Sequence, residues 1–175
     1  MSTSSNKNQF NYLFLGVGVL LLLTNVIISF LQFYNTPLDG DMAGGIIESA
    51  EISAILSDPI GWNVFFADGA HPNPNRFVCH FTFYHYFNTA PIFFQNFVSP
   101  VASVYLSCAL FKIVLHVLFL IVLSLVCMPK KERGLPFIAV LLLVATLIQN
   151  YGFNNQMGLI DKSITYTFFY GFPML

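Results

Sequence analysis

Residues Tyr12–Tyr34 read YLFLGVGVLLLLTNVIISFLQFY, an unbroken run without a single charge. About 20 apolar residues suffice to cross a bilayer as a helix, so this run is long enough. It exceeds the ~7–15 residues of a cleavable signal core, and no small-residue cleavage site follows it. Tyr12 and Tyr34 stand at its two ends, where interfacial aromatics belong. Asn25, near its middle, is expected to hydrogen-bond to a neighbouring helix. The segment therefore reads as a retained transmembrane helix.

The rest of the chain agrees with that solvent. Of 175 residues, 56% are hydrophobic, 17% aromatic and only 9% charged, with a mean hydropathy of +0.70. A soluble domain carries about 25% charged residues. A disordered chain is poor in aromatics and rich in charge, which excludes that class too. The net charge of -1 leaves no basic footprint for nucleic acid. The three cysteines, Cys79, Cys108 and Cys127, form neither a CxxC pair nor a disulfide framework, and read as small packing residues.

Further apolar runs extend over 100–128 and 135–151, the latter with Pro136 in its first turn, where proline is tolerated. A fourth starts at Ser163 and stops at Leu175, thirteen residues later. At about 1.5 Å per residue that is too short for a core ~30 Å thick, so a fragment of a longer protein is expected. The fold class expected is an all-α integral membrane protein. It has about three full transmembrane helices, a truncated fourth, and amphipathic interfacial helices in the first outer loop.

Charge sets the orientation. Lys130, Lys131 and Arg133 face only Glu132 in the short loop 129–134, whereas 35–99 holds six carboxylates against Arg76. Short loops rich in Lys and Arg stay cytoplasmic. The tail 1–11 is then a cytoplasmic, solvated N-terminus, and 35–99 and 152–162 lie outside a plasma (inner) membrane.

The outer loop carries the candidate chemistry. Ala43–Leu56 has helical spacing, with Glu48 and Glu51 on one side and Ile46, Ala50, Ala54 and Ile55 available to the membrane plane. Ser57-Asp58-Pro59 ends it. Trp62, Phe65 and Phe66 follow as interfacial aromatics, then a turn-rich stretch from Asp68 to Asn75. Phe77–Phe97 is an aromatic band, read as a helix lying on the membrane and broken near Pro91. Asp39-Gly40-Asp41 presents two carboxylates at the mouth of the first span. They can supply a general base or oxygen ligands for a divalent cation, or simply form a solvated turn. His80 and His85, five residues apart, stand about 140° apart on a helix. They are not a zinc pair, which wants i, i+4 spacing, but either can line a substrate pocket; His71 and Asp68 lie in the turn. Lys112 and His116, four apart, share one face of the second long span. They either face the bundle interior or a cavity as functional candidates, or Lys112 snorkels outward while His116 bonds to a neighbouring helix.

A cytoplasmic N-terminus, one span, the acidic LDGDMAG immediately outside and interfacial helices before further spans resemble the N-terminal part of polytopic type-C glycosyltransferases. The resemblance implies a lipid-phosphate-linked sugar donor and an outer-face acceptor. It also implies a catalytic aspartate, matched here by Asp41 and Asp39, that serves as base or metal ligand. Arg76 would pair with the leaving phosphate, and Asp41 is favoured as base because it borders a helix. The other reading is a non-catalytic multi-pass subunit or transporter component.

Overall fold

The computed structural model describes residues 3–68, 77–129, 134–148 and 160–175. Arg76, His71 and the basic cluster 130–133 lie outside these residues, as does most of the loop 152–162. All regular structure among the described residues is helical: α1 Thr3–Tyr34, α2 Met42–Ile46, α3 Ala50–Ser57, α4 Trp62–Phe66, α5 Phe77–Phe94, α6 Pro100–Cys127 and α7 Leu135–Leu147. A terminal segment follows, one α turn at Ile164–Tyr166 widening into a π-helical stretch, Thr167–Gly171, and closing as a 3-10 turn, Phe172–Met174.

Two stretches, Gln9–Tyr34 in α1 and Pro100–Cys127 in α6, are long and apolar enough to cross a membrane. Leu13, Leu20, Leu23 and Ile27 of α1 each stay more than half exposed. A continuous apolar surface of that kind is costly in water and at home in lipid. Helix α7, with 13 residues, measures about 20 Å, short of the ~30 Å bilayer core. Helix α1 starts at Thr3 rather than at Tyr12, because no glycine or proline between Thr3 and Asn11 interrupts it.

Helix α6 is central. One side of it packs Ala109, Ile113 and Leu115 with Phe33 of α1, Val144 and Ala145 of α7, and Ile148 just after it. Its other side joins an aromatic core in which Phe83 and Phe87 of α5 meet Met42, Cys108, Ile164 and Phe168. Cys79, Phe83 and Phe87 are all buried and four residues apart, so α5 turns one stripe inward. Cys79 and Cys108, neither in a disulfide, are buried in the packing.

The segment 35–99 departs from its sequence reading in two places. Ala43–Leu56 is two short helices rather than one, because Ile47 and Ser49 are extended; Ser49 Oγ caps α3 by accepting from the Ile52 N–H at 3.2 Å. Ile52 and Ile55, not Ala50 and Ala54, form the buried side. Helix α5 also runs through Pro91 to Phe94 instead of breaking there. The proline disturbs only the last turn, and Asn88 Nδ2 and Thr89 Oγ1 donate to the carbonyls of Tyr84 and His85 at 2.9 and 2.6 Å. Helix α3 does end at Ser57, and Asp58 caps α4 by accepting from the N–H groups of Trp62 and Asn63 at 2.8 and 2.9 Å.

Glycine sets one close approach. A Cβ at Gly18 would fall 2.4 Å from Cγ2 of Ile138 in α7, a β-branched side chain with little freedom to move. Gly18→Val is expected to lower stability by about 1–3 kcal/mol through overpacking. Gly16, with open space around its Cβ position, is the control: Gly16→Val should leave the thermal midpoint in detergent nearly unchanged.

Candidate site at the mouth of helix α1

The chain leaves α1 through Asn35–Leu38 and brings Asp39 against the start of the terminal segment, 124 residues away in sequence. Ser163 Oγ donates to Asp39 Oδ2 at 2.9 Å, the Thr165 N–H to the same oxygen at 3.1 Å, and Thr165 Oγ1 to Oδ1 at 2.7 Å. The terminal segment is itself locally ordered. Asp161 Oδ1 accepts from the Ser163 N–H at 2.8 Å, and Ser163 Oγ caps the turn by accepting from the Tyr166 N–H at 3.0 Å. Burial pushes the Asp39 carboxyl upward, but the bonds from Thr165 and Ser163 and the Ile164 backbone outweigh it, holding Asp39 below the usual carboxylate range. So held, Asp39 is a strong hydrogen-bond anchor and a weak base.

Beside Asp39 opens a cleft of about 390 Å³. Phe33, Leu38 and Ile160 form its apolar lining, and Asp39, Asp161 and Lys162 its charged lining. Lys112 lies beneath. Its ammonium donates to the carbonyl of Lys162 and stands 5.9 Å from the centre of the Phe33 ring. It also feels the charges of Asp161 and Asp39. One turn further along α6, His116 Nε2 meets Asn25 Oδ1 at 3.0 Å, the interhelical partner expected for Asn25. The structure divides the two readings: Lys112 is buried rather than snorkelling outward, whereas His116, also buried, makes the bond to a neighbouring helix that the second reading gave it.

The other candidates are not gathered here. Asp41 is exposed, precedes α2 without a side-chain cap bond and does not line the cleft. His80 packs on the Phe169 ring at 4.4 Å, while His85 is exposed beside Phe81 at 4.3 Å. The two point apart, as their spacing requires. Among the described residues no three His, Cys, Asp or Glu side chains converge to hold a metal ion. Asp39 accepts hydrogen bonds on both oxygens, while Asp41 stands exposed two residues further along the chain.

Asp161, Ser163 and Thr165 went unread in the sequence. Two local signals were there: an Asp two residues before Ser163, which makes an Asx turn, and a Ser immediately before an apolar run, which makes a helix start. Neither says which distant carboxylate the turn meets. Compared with protein-family models, with curated proteins and with solved structures, the chain matches none.

Proposed function

We propose that the chain belongs to a multi-pass membrane protein that handles a lipid-linked sugar at the outer face of a cell membrane, as a type-C glycosyltransferase does. The observation that carries this reading is the mixed cleft at the mouth of α1. Carboxylates accept hydrogen bonds from sugar hydroxyls, and the apolar wall suits the start of a lipid chain. In this reading Asp39 orients and Asp41, exposed two residues along the same loop, takes the proton of the acceptor hydroxyl. Arg76, the lone Arg or Lys of 35–99, pairs with the leaving phosphate. No step is routed through a metal ion.

The test is transfer from a polyprenyl-phosphate-linked hexose to an acceptor. Asp41→Asn should lower the rate by about 10²–10⁴-fold, the usual worth of a general base. Transfer that survives both Asp41→Asn and Asp39→Asn would overturn the catalytic reading. The non-catalytic subunit would then stand, a reading favoured by the way Asp39 spends both its oxygens on the chain's own terminal segment.

The proposal also fixes an orientation, with the N-terminus and 130–133 cytoplasmic and the cleft outside; it counts three full spans and a fourth begun only if the third takes in the whole apolar run 135–151 and not α7 alone. Its basis is the distribution of Lys and Arg. An impermeant thiol reagent on intact cells should label Asn73→Cys and spare Lys131→Cys. The reverse pattern would invert the topology.

A further inference from the structure

Between Asp58 and Asp68 the chain carries an apolar face that the cleft does not use. Trp62, Phe65 and Phe66 stand three and four residues apart on α4, so they share one side of the helix. They keep 55%, 64% and 79% of their surface exposed. The rings gather on one another. Trp62 stacks on Phe66 at 5.5 Å with the planes 26° apart, and Phe65 lies 6.5 Å from Phe66. Ile60, also exposed, extends the patch.

The backbone presents this face already formed. The Asp58 carboxylate accepts from the Trp62 and Asn63 N–H groups at 2.8 and 2.9 Å. Gly61 at φ 73° and Asp68 at φ 48° turn the chain through left-handed residues at either end of α4. Glycine enters that region freely, and aspartate more readily than most residues. A helix of five residues is marginal by itself, so these end contacts hold it. Composition alone makes the three aromatics interfacial; the capped turn and the shared face make them one wedge.

Place, area and charge name what covers it. Where α1 crosses the bilayer, no helix between Tyr34 and Trp62 is long enough to cross back, so α4 stays on the side where α1 emerges. Helix α3 leans on α5, and α5 turns back alongside α6, the Tyr86 hydroxyl donating to the Ser107 carbonyl at 2.8 Å. The α3–α4 unit is thus held at the flank of the helix stack. Three aromatic side chains that bury about 150–250 Å² each offer, at these exposures, on the order of 400 Å². That is half of the ~800 Å² per partner in a standard protein interface, yet ample for a shallow seat in lipid. Residues 35–68 hold six carboxylates and no Lys or Arg. An anionic leaflet repels such a segment, and a zwitterionic one does not.

We propose that α4 is a preformed lipid anchor, its aromatic face seated about 5–10 Å into a zwitterionic leaflet. Asp58 and Asp68 stay among the headgroups, where the Trp62 N–H also finds acceptors.

Trp62 is the only tryptophan of the chain, so the fluorescence of the whole protein reads this face alone. The experiment is quenching in phosphatidylcholine vesicles. Lipid brominated at the headgroup end of its acyl chains should quench Trp62 more than lipid brominated at the chain ends. Acrylamide, a neutral quencher present on both sides of the vesicle, should quench it little. Phe66, the most exposed of the three rings, can be changed without disturbing the core. Phe66→Ser should therefore move Trp62 toward water, with acrylamide quenching raised and lipid quenching reduced. Full quenching of the wild type by acrylamide, with no effect of brominated lipid, overturns the proposal by placing the face in water. Protection from both quenchers overturns it by showing that protein, a second copy included, covers the face. Lipid quenching that appears only when phosphatidylglycerol is added overturns it too, since anionic lipid would then be the partner. None of these outcomes bears on sugar transfer, which rests on the cleft and Asp41.

Discussion

Phe168→Ala is expected to be the most damaging apolar truncation in the chain, at about 3–5 kcal/mol. The ring is fully buried and stacks on Phe111 at 3.6 Å with the planes 7° apart. It also meets Phe83 edge-on at 4.9 Å and lies 5.7 Å from Phe87 and 5.8 Å from Tyr86. Alanine would leave a ring-sized void bounded by α5 on one side and α6 on the other. Stiff aromatic walls collapse poorly into such a space, so the cavity part of the cost should be retained. The loss should also be local before it is global, because Phe168 is the main apolar tie of the terminal segment. Hydrogen exchange should accelerate first over Ile164–Met174 and then along α5, with the thermal midpoint in detergent falling in parallel. A shift smaller than the ~1 kcal/mol typical of an ordinary substitution would mean that the segment is held by its polar contacts alone.

What the sequence disclosed followed from hydropathy and punctuation. The charge-free run ending at Tyr34 and the run opening at Pro100 stand out because both are long and apolar enough to cross a membrane. The proline after Asp58 set the end of α3, and the apolar run from about Pro100 set the start of α6. The burial of Lys112 was one of two readings, and its four-residue spacing from His116 could not choose between them, since it puts both on one face without saying which. The split at Ile47–Ser49 was hidden because one helix and two short helices share much the same apolar periodicity. The passage of α5 through Pro91 was hidden too, because the proline forfeits only the bond its missing N–H would make to the Phe87 carbonyl, and the ladder resumes with the Gln95 N–H on the Pro91 carbonyl.

The meeting of Asp39 with Ser163 and Thr165 was beyond any window. Each partner has a sufficient local explanation, a turn at Asp39-Gly40-Asp41 and a cap at Ser163, so neither demands the other. Preference for Asp41 over Asp39 rested on closeness to a helix start. That argument was local, and the contact that brings Asp39 to the cleft is made by chain 124 residues away.

That contact yields the second large effect. Asp39→Ala removes the acceptor for three donors, including the backbone N–H and hydroxyl of the buried Thr165. A buried donor left unmet costs about 1–3 kcal/mol, and some of the three will find water, so a total loss of about 2–4 kcal/mol is expected. Lys112 loses one of its two nearby carboxylates at the same time, which adds to the cost of a buried cation. Acid should act on the wild type as the mutation does, with a definite sign. The folded carboxyl titrates below its ordinary value of 3.8, so its stabilisation is fully present above that pH and disappears as the pH falls through the lower folded value. Protection of the Thr165 amide, corrected for intrinsic exchange, should therefore be level from neutrality to about pH 4 and drop below it. Asp39→Asn presents one oxygen and a misplaced donor, so it should be weaker throughout and insensitive to acid in that window. Equal protection in wild type and Asp39→Asn at pH 7 would show that the carboxylate does not hold the terminal segment, and the Asp39 oxygens would then be free for a ligand in the cleft.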